Sequence, residues 1–310
     1  MKKHILKFLN QFYVYRYLAY RKHKYDVTNN FKKEADRCYY PTFKKQIDWK
    51  NPKDLIEKIN WLQFNSDTSL WTKYADKYLV RDYVKECGFE DVLPILYGKW
   101  DNAKDIDFDK LPNSFVLKTN HGCGSNLIVK DKSKLNIKSA IKKLNRWLSI
   151  PYGYAAAQIH YTRIKPCIIA EELLENKDDY SSSLVDYKIW CFHGVPEAIW
   201  VAYNRSNNGV DMSLYDLNWE KHPEHLISSN HYKYNERDIP RPKSLEKMIE
   251  IAKVLSKDTP QVRVDFYDID GKPYFGEMTF ATGFGYFSRE YYEYLGSKID
   301  LSKVEKIKHI

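Results

Sequence analysis

Cysteine is scarce in this chain, and its few cysteines form no recognisable pair. The 310 residues include five cysteines, at positions 38, 87, 123, 167 and 191. An odd, scattered set without C-x-x-C spacing argues against the disulfide framework of small secreted domains and against a zinc knuckle. The pattern instead favours a reducing, cytoplasmic compartment.

The chain also lacks a long hydrophobic run. Residues 5–20 are interrupted by Lys7, Asn10, Gln11 and Arg16 and contain no small-residue cleavage site. We therefore expect neither a secretory signal nor a transmembrane helix here. The apolar residues of this stretch recur at helical spacing, which is typical of an amphipathic helix at a membrane interface or against its own domain. These residues are Ile5, Phe8, Leu9, Phe12, Tyr15 and Ala19.

Positive charge is in excess only near the start of the chain. Residues 1–50 contain 13 Lys and Arg and 4 Asp and Glu, and the difference of +9 equals the net charge of the whole chain. A nucleic-acid-binding groove would spread such an excess along its length, so nucleic acid is not an expected partner. We expect residues 1–25 either to contact the anionic inner face of a membrane or to pack on the protein.

No internal repeat or low-complexity tract appears, and helix and strand patterns cover most of the chain. A polar run closed by Leu111 and Pro112 predicts a domain boundary near residue 112. The predicted regions are a basic arm with an amphipathic helix (1–50), a helical and α/β region (51–112) and an α+β domain (113–310).

Charged residues occur on a predicted hairpin, residues 262–279, where folding requires none. Apolar residues alternate with Arg263 and Asp265 on its first strand, and Glu277 lies on the second. Two carboxylates and an arginine on one face are typical of a magnesium and phosphate site. A solvated hairpin with one ion pair is the alternative, since antiparallel sheets commonly keep one face in water.

The turn of this hairpin decides which face Glu277 occupies. A three-residue loop, 269–271, would place Glu277 directly opposite Arg263, with Asp265 diagonal to it. A two-residue turn at Asp270 and Gly271 would put Glu277 on the other face, because a shift of one residue reverses every side chain. Because the two acids would repel each other without a cation, we expect neutralisation of either to cost little stability.

A second candidate site follows the strand pattern 115–118. Lys118 ends this strand, and residues 121–125 read His-Gly-Cys-Gly-Ser before the next strand. The loop lacks the Gly-Lys-Ser/Thr of a Walker motif and the third glycine of a dinucleotide fingerprint. Gly122 and Gly124 would let backbone amides approach phosphate oxygens, with Lys118 as a point charge, although a mobile turn is the alternative. His121 could transfer a proton or hydrogen-bond to a phosphate.

Two further segments carry polar groups at the ends of strands. The buried strand pattern 167–170 runs directly into residues 171–174, Glu-Glu-Leu-Leu, and the backbone of such a segment can bind an adenine. In the next strand, Asp186 and Lys188 share one face, which would be directed toward a nucleotide.

The order of these features resembles the ATP-grasp superfamily over about residues 76–285. Within it, the chain is similar to the TupA-like ATP-grasp family of bacterial surface-polysaccharide clusters. Three segments carry the similarity: IEKINW at 56–61, DKYLVR at 76–81 and FVLKTNHGCGSN at 115–126. The resemblance implies an α+β ATP-grasp fold, in which two α+β subdomains enclose ATP, preceded by a smaller N-terminal helical and α/β region.

The resemblance also implies roles for single residues. Phosphates would contact Lys77 and Lys118, adenine would bind at 171–174, ribose at Asp186, and Lys188 would reach the terminal phosphate. Thr279 stands where many ATP-grasp enzymes have a metal-binding asparagine, so water would complete the shell of Mg²⁺. The implied residues are Lys77, Lys118, His121, Gly122, Gly124, Ser125, Glu171, Glu172, Leu174 and Asp186 for ATP, Lys188 and Arg263 for catalysis, and Asp265, Glu277 and Thr279 for Mg²⁺.

The function implied is an ATP-dependent carboxylate–amine ligase that acts through an acyl phosphate. Its partners would be a carboxylate-bearing glycan or glycolipid, such as a uronic acid of a cell-surface polysaccharide, and a small amine. Two other classes of function stay open. A glycosyltransferase would use a nucleotide-sugar donor and consume no ATP, and a nucleotide-regulated scaffold would bind ATP without turnover.

Overall fold

The computed structural model describes residues 13–177 and 179–307. The helices in these ranges are, in chain order, α1 (Tyr13–Asn29), α2 (Phe31–Phe43), α3 (Leu55–Asn65), α4 (Ser69–Ala75), α5 (Val80–Glu86), α6 (Ile137–Leu148), α7 (Ile159–Thr162), α8 (Leu245–Ser256) and α9 (Arg289–Ser297). The strands are β1 (Leu96–Trp100), β2 (Phe115–Thr119), β3 (Asn126–Val129), β4 (Ile168–Glu171), β5 (Asp186–Phe192), β6 (Val195–Ser206), β7 (Gly209–Tyr215), β8 (Tyr232–Tyr234), β9 (Val262–Ile269) and β10 (Lys272–Thr279).

The chain forms two compact units, and each is assembled from separate segments. The first unit contains the segment that ends at Gln46, then Thr68–Tyr78 and Ile95–Leu173. The second contains Ile47–Asp67, Leu79–Pro94 and the segment that starts at Leu174. Strand β1, which precedes residue 112, pairs with β4, which follows it, and both lie in the first unit.

The first unit contains an antiparallel sheet with strand order β1-β4-β2-β3. Phe115 and Leu117 of β2 are completely buried and pack in one apolar cluster with Leu144 of α6. Successive side chains of a strand point to opposite faces. Lys118 therefore lies on the face of β2 away from this cluster, where its ammonium can take part in a binding site.

The second unit contains a six-stranded sheet with order β10-β9-β5-β6-β7-β8, and only the β7–β8 pair is parallel. Helix α8 packs against β5, β6 and β9. On β5, Ile189 pairs with Val264 of β9, and Cys191 contacts the backbone of α8 through Ala252. These residues share the helix-covered face, so the alternate residues, Lys188 among them, lie on the opposite face.

The turn of the hairpin of β9 and β10 is the two-residue alternative. Ile269 pairs with Lys272, so only Asp270 and Gly271 lie between the two strands. Asp270 and Gly271 both have positive φ, 56° and 82°, as the favoured two-residue hairpin turn requires. Aspartate and glycine tolerate that conformation, which explains the choice of turn.

A β-bulge then reverses the effect of this turn. The register shifts between Phe275 and Glu277, so that Glu277 pairs with Asp265 and Thr279 pairs with Arg263. The extra residue of the bulge returns Glu277 to the face that carries Asp265. Glu277 therefore lies opposite Asp265 and not opposite Arg263, and the three charges share one face of the hairpin.

The basic N-terminal segment is described only in part. Of the predicted apolar stripe, Tyr15 and Ala19 lie on α1 and are half-buried. The remaining members of the stripe, Ile5, Phe8, Leu9 and Phe12, lie outside the described residues. Within 13–177 and 179–307, no helix combines the length and the apolar character needed to cross a membrane.

Candidate functional site

A cluster of buried charges lies on the sheet of the second unit, on the face away from α8. Its centre is the carboxylate of Asp265 on β9, whose side chain is 4% exposed. Asp265 pairs with Lys188 on β5 and with Glu277 on β10. The register of three neighbouring strands therefore brings two acids and a lysine side by side.

Two cations hold the carboxylate of Asp265. The Arg263 guanidinium donates from Nε to Oδ1 at 2.7 Å and from Nη2 to Oδ2 at 2.8 Å. The Lys188 ammonium donates to Oδ2 at 2.5 Å. Such a bidentate, charge-assisted contact fixes the carboxylate in position and in orientation.

Asp186 at the start of β5 extends the cluster. Its Oδ1 accepts from Lys188 at 3.2 Å, and its Oδ2 accepts from Arg205 of β6 at 2.7 Å. Burial alone would raise the pKa of Asp186, but Lys188 and Arg205 lower it below its ordinary value. Asp186 is therefore an anion at neutral pH.

The two buried cations also stay charged. Burial alone would lower the pKa of Lys188, but Asp186 and Asp265 raise it above its ordinary value. Burial likewise opposes the charge of Arg263, and Asp265 more than offsets this, so that the pKa of Arg263 is raised. The guanidinium carbon of Arg263 also lies 5.8 Å and 5.7 Å from the ring centres of Trp190 and Trp200, within cation–π range.

Glu277 is the most open acid of the cluster. Its side chain is 27% exposed, and its Oε1 lies 3.9 Å from Nη2 of Arg263. The hydroxyl of Thr279 donates to the same Oε1 at 3.3 Å and accepts from Arg263 at 3.2 Å. Thr279 therefore positions the carboxylate of Glu277 against the cluster.

The donor set fits a hard cation. A carboxylate has about four acceptor positions, and Arg263 and Lys188 use three of those on Asp265. Asp265 and Glu277 face the same side of the hairpin, which leaves one acceptor position beside a more exposed carboxylate. Mg²⁺ is commonly held by one or two carboxylates together with substrate phosphates. The predicted metal ligands Asp265 and Glu277 are thus brought together, while Thr279 already contacts both Arg263 and Glu277.

In the first unit, Lys118 forms an ion pair with Glu171. Lys118 lies on β2 and Glu171 at the end of β4, and these strands are neighbours in the sheet. The Glu171 side chain is 5% exposed and that of Lys118 is 19% exposed. The predicted phosphate-binding lysine is therefore also the counter-ion of a buried acid.

Asn120 fixes the start of the loop that follows β2. Its side-chain amide donates to Asp76 at 2.8 Å and to the carbonyl of Lys165 at 3.0 Å, and its Oδ1 accepts from Cys167 at 2.7 Å. Lys77 joins the loop as well, because its Nζ donates to the carbonyl of Gly122 at 2.6 Å. The loop is thus tied to its surroundings rather than being an unsupported turn.

The glycines of the loop have the predicted backbone freedom. Gly122 and Gly124 have φ of 73° and 76°, which residues with a side chain rarely adopt. A Cβ at Gly122 would lie 2.2 Å from the ring of Tyr152, whereas one at Gly124 would meet nothing within 4 Å. Ser125 closes the loop, with its Oγ 2.5 Å from that of Thr119.

His121 is buried and neutral. Burial lowers its pKa to about 4, and only a hydrogen bond to the backbone of Ile150 opposes this effect. Its Nδ1 is buried with no hydrogen-bond partner. A group with this pKa is neutral near pH 7, so His121 is better suited to hydrogen bonding than to carrying a charge.

The predicted adenine segment follows β4. The backbone of Glu172 donates to the carbonyl of Ile95 at 2.9 Å, and its carboxylate accepts from the amide of Ile95 at 3.3 Å. Leu174 is half-buried and is the residue at which the chain passes from the first unit to the second.

Several residues that support these groups carry no recognisable signal in the sequence. Arg205, near the end of β6, and Asn120, a buried asparagine, have no distinctive spacing in the sequence. Thr282, which accepts from Nη1 of Arg263 at 3.0 Å, follows β10 in an irregular segment. Each of these residues is identified only by a contact with a residue that is distant along the chain.

The chain was compared with known proteins in three ways. A family model described as TupA-like ATPgrasp matches residues 57–300. A search of the curated proteins found no match.

Solved structures with a similar fold include three ligases or synthetases. A D-alanine–D-alanine ligase from Bacillus anthracis is 18% identical, with a TM-score of 0.44, and the match covers 71% of this chain and 61% of that one. An ADP complex of N5-carboxyaminoimidazole ribonucleotide synthetase is 17% identical, with a TM-score of 0.41 and coverage of 71% and 48%. The ATP-grasp ligase PsnB with minimal precursor, Mg and ADP is 10% identical, with a TM-score of 0.38 and coverage of 79% and 66%. This chain thus spans less than two thirds of each of these chains.

The two acids of the hairpin are expected to differ sharply in their effect on stability. Asp265→Asn leaves Arg263 and Lys188 buried without their shared anion, so we expect a loss of about 3–5 kcal/mol in the free energy of unfolding. Glu277→Gln removes a partly exposed charge 3.9 Å from Arg263 and should cost about 1 kcal/mol or less. Urea unfolding measures both. Equal losses, or a gain for Asp265→Asn, would restore the expectation that the acids mainly repel each other.

Lys118 is expected to have a structural and a binding role that two variants separate. Lys118→Met removes the counter-ion of buried Glu171 and should destabilise the protein by about 1–3 kcal/mol. The double variant Lys118→Met/Glu171→Gln should regain most of this stability and still bind ATP more weakly than the unmodified protein. Urea unfolding and titration calorimetry with ATP test the two parts. Full ATP affinity in the double variant would assign Lys118 a purely structural role.

Proposed function

The chain belongs to the TupA-like ATP-grasp family and has the α+β ATP-grasp fold, and from this premise we propose that it is an ADP-forming carboxylate–amine ligase. The observation that supports the proposal best is the charge cluster around Asp265. Lys188, Arg205 and Arg263 balance Asp186, Asp265 and Glu277 within it. Such a preorganised set of charges is suited to a reaction that moves a phosphoryl group.

Lys188 and Arg263 are the proposed catalytic cations. An ammonium has three N–H donors, and Asp186 and Asp265 accept two of those of Lys188. The third donor is available for an oxygen of the transferred phosphoryl group. Arg263 uses four of its five donors on Asp265, Thr279 and Thr282, so its main contribution is a fixed positive charge.

Asp265 and Glu277 are the proposed ligands of Mg²⁺. When bound, the ion would neutralise charge on the phosphates of ATP and polarise the γ-phosphoryl group. Thr279 holds the carboxylate of Glu277, and Arg263 holds that of Asp265. These two ligands therefore need little rearrangement to bind the ion. Lys77, Lys118 and the amides of the 121–125 loop would contact ATP phosphates, residues 171–174 would bind the adenine and Asp186 the ribose.

The proposed reaction has two steps. An oxygen of the acceptor carboxylate attacks the γ-phosphorus of ATP, the bond to the bridging oxygen breaks, and ADP leaves with formation of an acyl phosphate. The amine nitrogen then attacks the acyl carbon, the bond to the phosphate oxygen breaks, and the nitrogen loses a proton to give an amide. Water must be kept from the acyl phosphate, which is a reason for the ordered 121–125 loop.

The proposed acceptor is a carboxylate-bearing glycan or glycolipid, such as a uronic acid of a bacterial cell-surface polysaccharide, and the second substrate is a small amine or amino acid. Family membership supports this choice. The enzyme would act in the cytoplasm, and nucleic acid is not a proposed partner.

Isotope transfer tests the ligase proposal. With ATP, Mg²⁺, an amine and a panel of uronic acids labelled with ¹⁸O in the carboxylate, we expect ADP release that depends on the acid and ¹⁸O in the released phosphate. Hydroxylamine in place of the amine should give a hydroxamate. Glu277→Gln, which should keep the fold, is expected to lower turnover by at least about 100-fold. Transfer of sugar from a nucleotide-sugar donor, with ATP unchanged, would replace the proposal by a glycosyltransferase.

A membrane-bound acceptor would explain the basic N-terminal segment. We expect residues 1–25 to bind anionic vesicles, because each basic residue near such a surface contributes about 1 kcal/mol at low salt. Removal of residues 1–25 should therefore lower co-sedimentation with vesicles that contain phosphatidylserine and leave activity on a soluble acceptor unchanged. Equal co-sedimentation of both proteins would contradict this role.

A further inference from the structure

A second group of possible metal ligands lies in the second unit, outside the charge cluster. The sequence His222-Pro223-Glu224-His225 forms a tight turn after β7. One ligand atom from each of His222, Glu224 and His225 lies within 4.8 Å of the other two. The two imidazole rings share one oxygen of Glu224, at 3.0 Å from Nδ1 of His222 and 3.6 Å from Nε2 of His225.

These distances suit a tetrahedral metal ion. Nitrogen and oxygen ligands bind Zn²⁺ at about 2.0–2.1 Å, which places neighbouring tetrahedral ligand atoms about 3.3–3.4 Å apart. The two observed separations lie on either side of that value. The third separation, between the two imidazoles, is within 4.8 Å, so rotation of these partly exposed side chains can bring all three ligand atoms to one ion.

The turn is held in place by bonds to regular structure. The amide of His222 donates to the carbonyl of Leu214 on β7 at 2.8 Å. The carbonyl of His225 accepts from Ser288, the N-cap residue of α9, at 2.8 Å. The ring of His225 also stacks on that of Tyr291, with centres 4.4 Å apart and planes at 17°. The backbone of His222 and the ring of His225 are thus held by contacts that require no metal.

Another group of possible metal ligands, in the first unit, differs in the partners of its acids. His23, Asp26 and Glu34 also bring their ligand atoms together in the first unit. Its two acids already pair with cations, however, Asp26 with Lys22 at 2.5 Å and Glu34 with Arg37 at 2.6 Å. Glu224, by contrast, has the two imidazoles as its close neighbours, at 3.0 Å and 3.6 Å.

We propose that His222, Glu224 and His225 bind one Zn²⁺-class transition-metal ion, with water in the remaining position. Two imidazoles and one carboxylate favour such ions over Mg²⁺, which prefers oxygen ligands. The site is separate from the proposed magnesium ligands Asp265 and Glu277 and does not depend on the proposed ligase activity.

Metal binding would restrain a segment that is connected to Arg263. The amide of Ile227 donates to the carbonyl of Tyr286 at 2.9 Å. The hydroxyl of Tyr286 lies 2.8 Å from that of Thr282, which in turn accepts from Arg263 at 3.0 Å. Because an ion that binds only the folded protein stabilises it, Zn²⁺ should raise the melting temperature.

Metal titration of the full-length protein without a polyhistidine tag tests the proposal. After treatment with a chelator, we expect one Zn²⁺ per chain by calorimetry, and intense visible absorption from tetrahedral Co²⁺ when cobalt is used instead. His222→Asn and His225→Asn should each lower Zn²⁺ affinity by at least about tenfold, the smallest loss typical of removing even an outer-shell partner. His231→Asn, which changes an exposed histidine outside the group, is the matched control and should bind as the unmodified protein does.

A cooperative melting transition in the presence of a chelator shows that a variant is folded, and Glu224→Gln replaces any histidine variant that lacks one. The Zn²⁺ affinity of Glu224→Gln should fall in the same way, and Zn²⁺ should no longer raise the melting temperature of this variant. Unchanged affinity in His222→Asn and His225→Asn, or an equal loss in His231→Asn, would overturn the assignment. Absence of stoichiometric Zn²⁺ binding to the unmodified protein would overturn it as well.

Discussion

The pairing of the Asp265 carboxylate with Arg263 and Lys188 is the interaction on which the rest of the candidate site depends. Removing one anion and two cations from water is costly, and only close contacts with good geometry offset that cost. Asp265 provides such contacts to both cations at 2.5–2.8 Å. With Asp265 in place, the central strands β5 and β9 can pair while two basic side chains are buried on their shared face.

The same interaction explains how a buried polar face can remain ready for a ligand. Within the low dielectric of the sheet, a fixed set of opposite charges interacts with a developing charge more strongly than water-exposed groups would. Asp265 is almost saturated by its cations, whereas Glu277 is more exposed and held by Thr279. The cluster therefore combines a rigid centre with one accessible acid, which suits the proposed phosphoryl transfer and the proposed Mg²⁺ ligands.

Much of the fold and part of the site could be predicted from the sequence. The resemblance to the TupA-like ATP-grasp family is confirmed by the family model over residues 57–300, and the α+β fold is confirmed. The alternation of Arg263 and Asp265 with apolar residues correctly placed both on one face of β9. The sequence left two turns open for the hairpin, and it gives no sign of the bulge that follows the two-residue turn at Asp270 and Gly271 and returns Glu277 to the face of Asp265. A bulge has no reliable signal in a single strand, because it depends on how two strands pair.

The sequence by itself determined the strands, the glycine-rich loop and the side chains that alternate onto a polar face, because these follow from local periodicity and backbone preference. The tertiary structure alone decided the partners of those side chains. Lys118 pairs with Glu171 from another strand, and Asp186 pairs with Arg205. Contacts between residues distant along the chain depend on strand order and register, and burial then sets the charge of each group, as the lowered pKa of His121 shows.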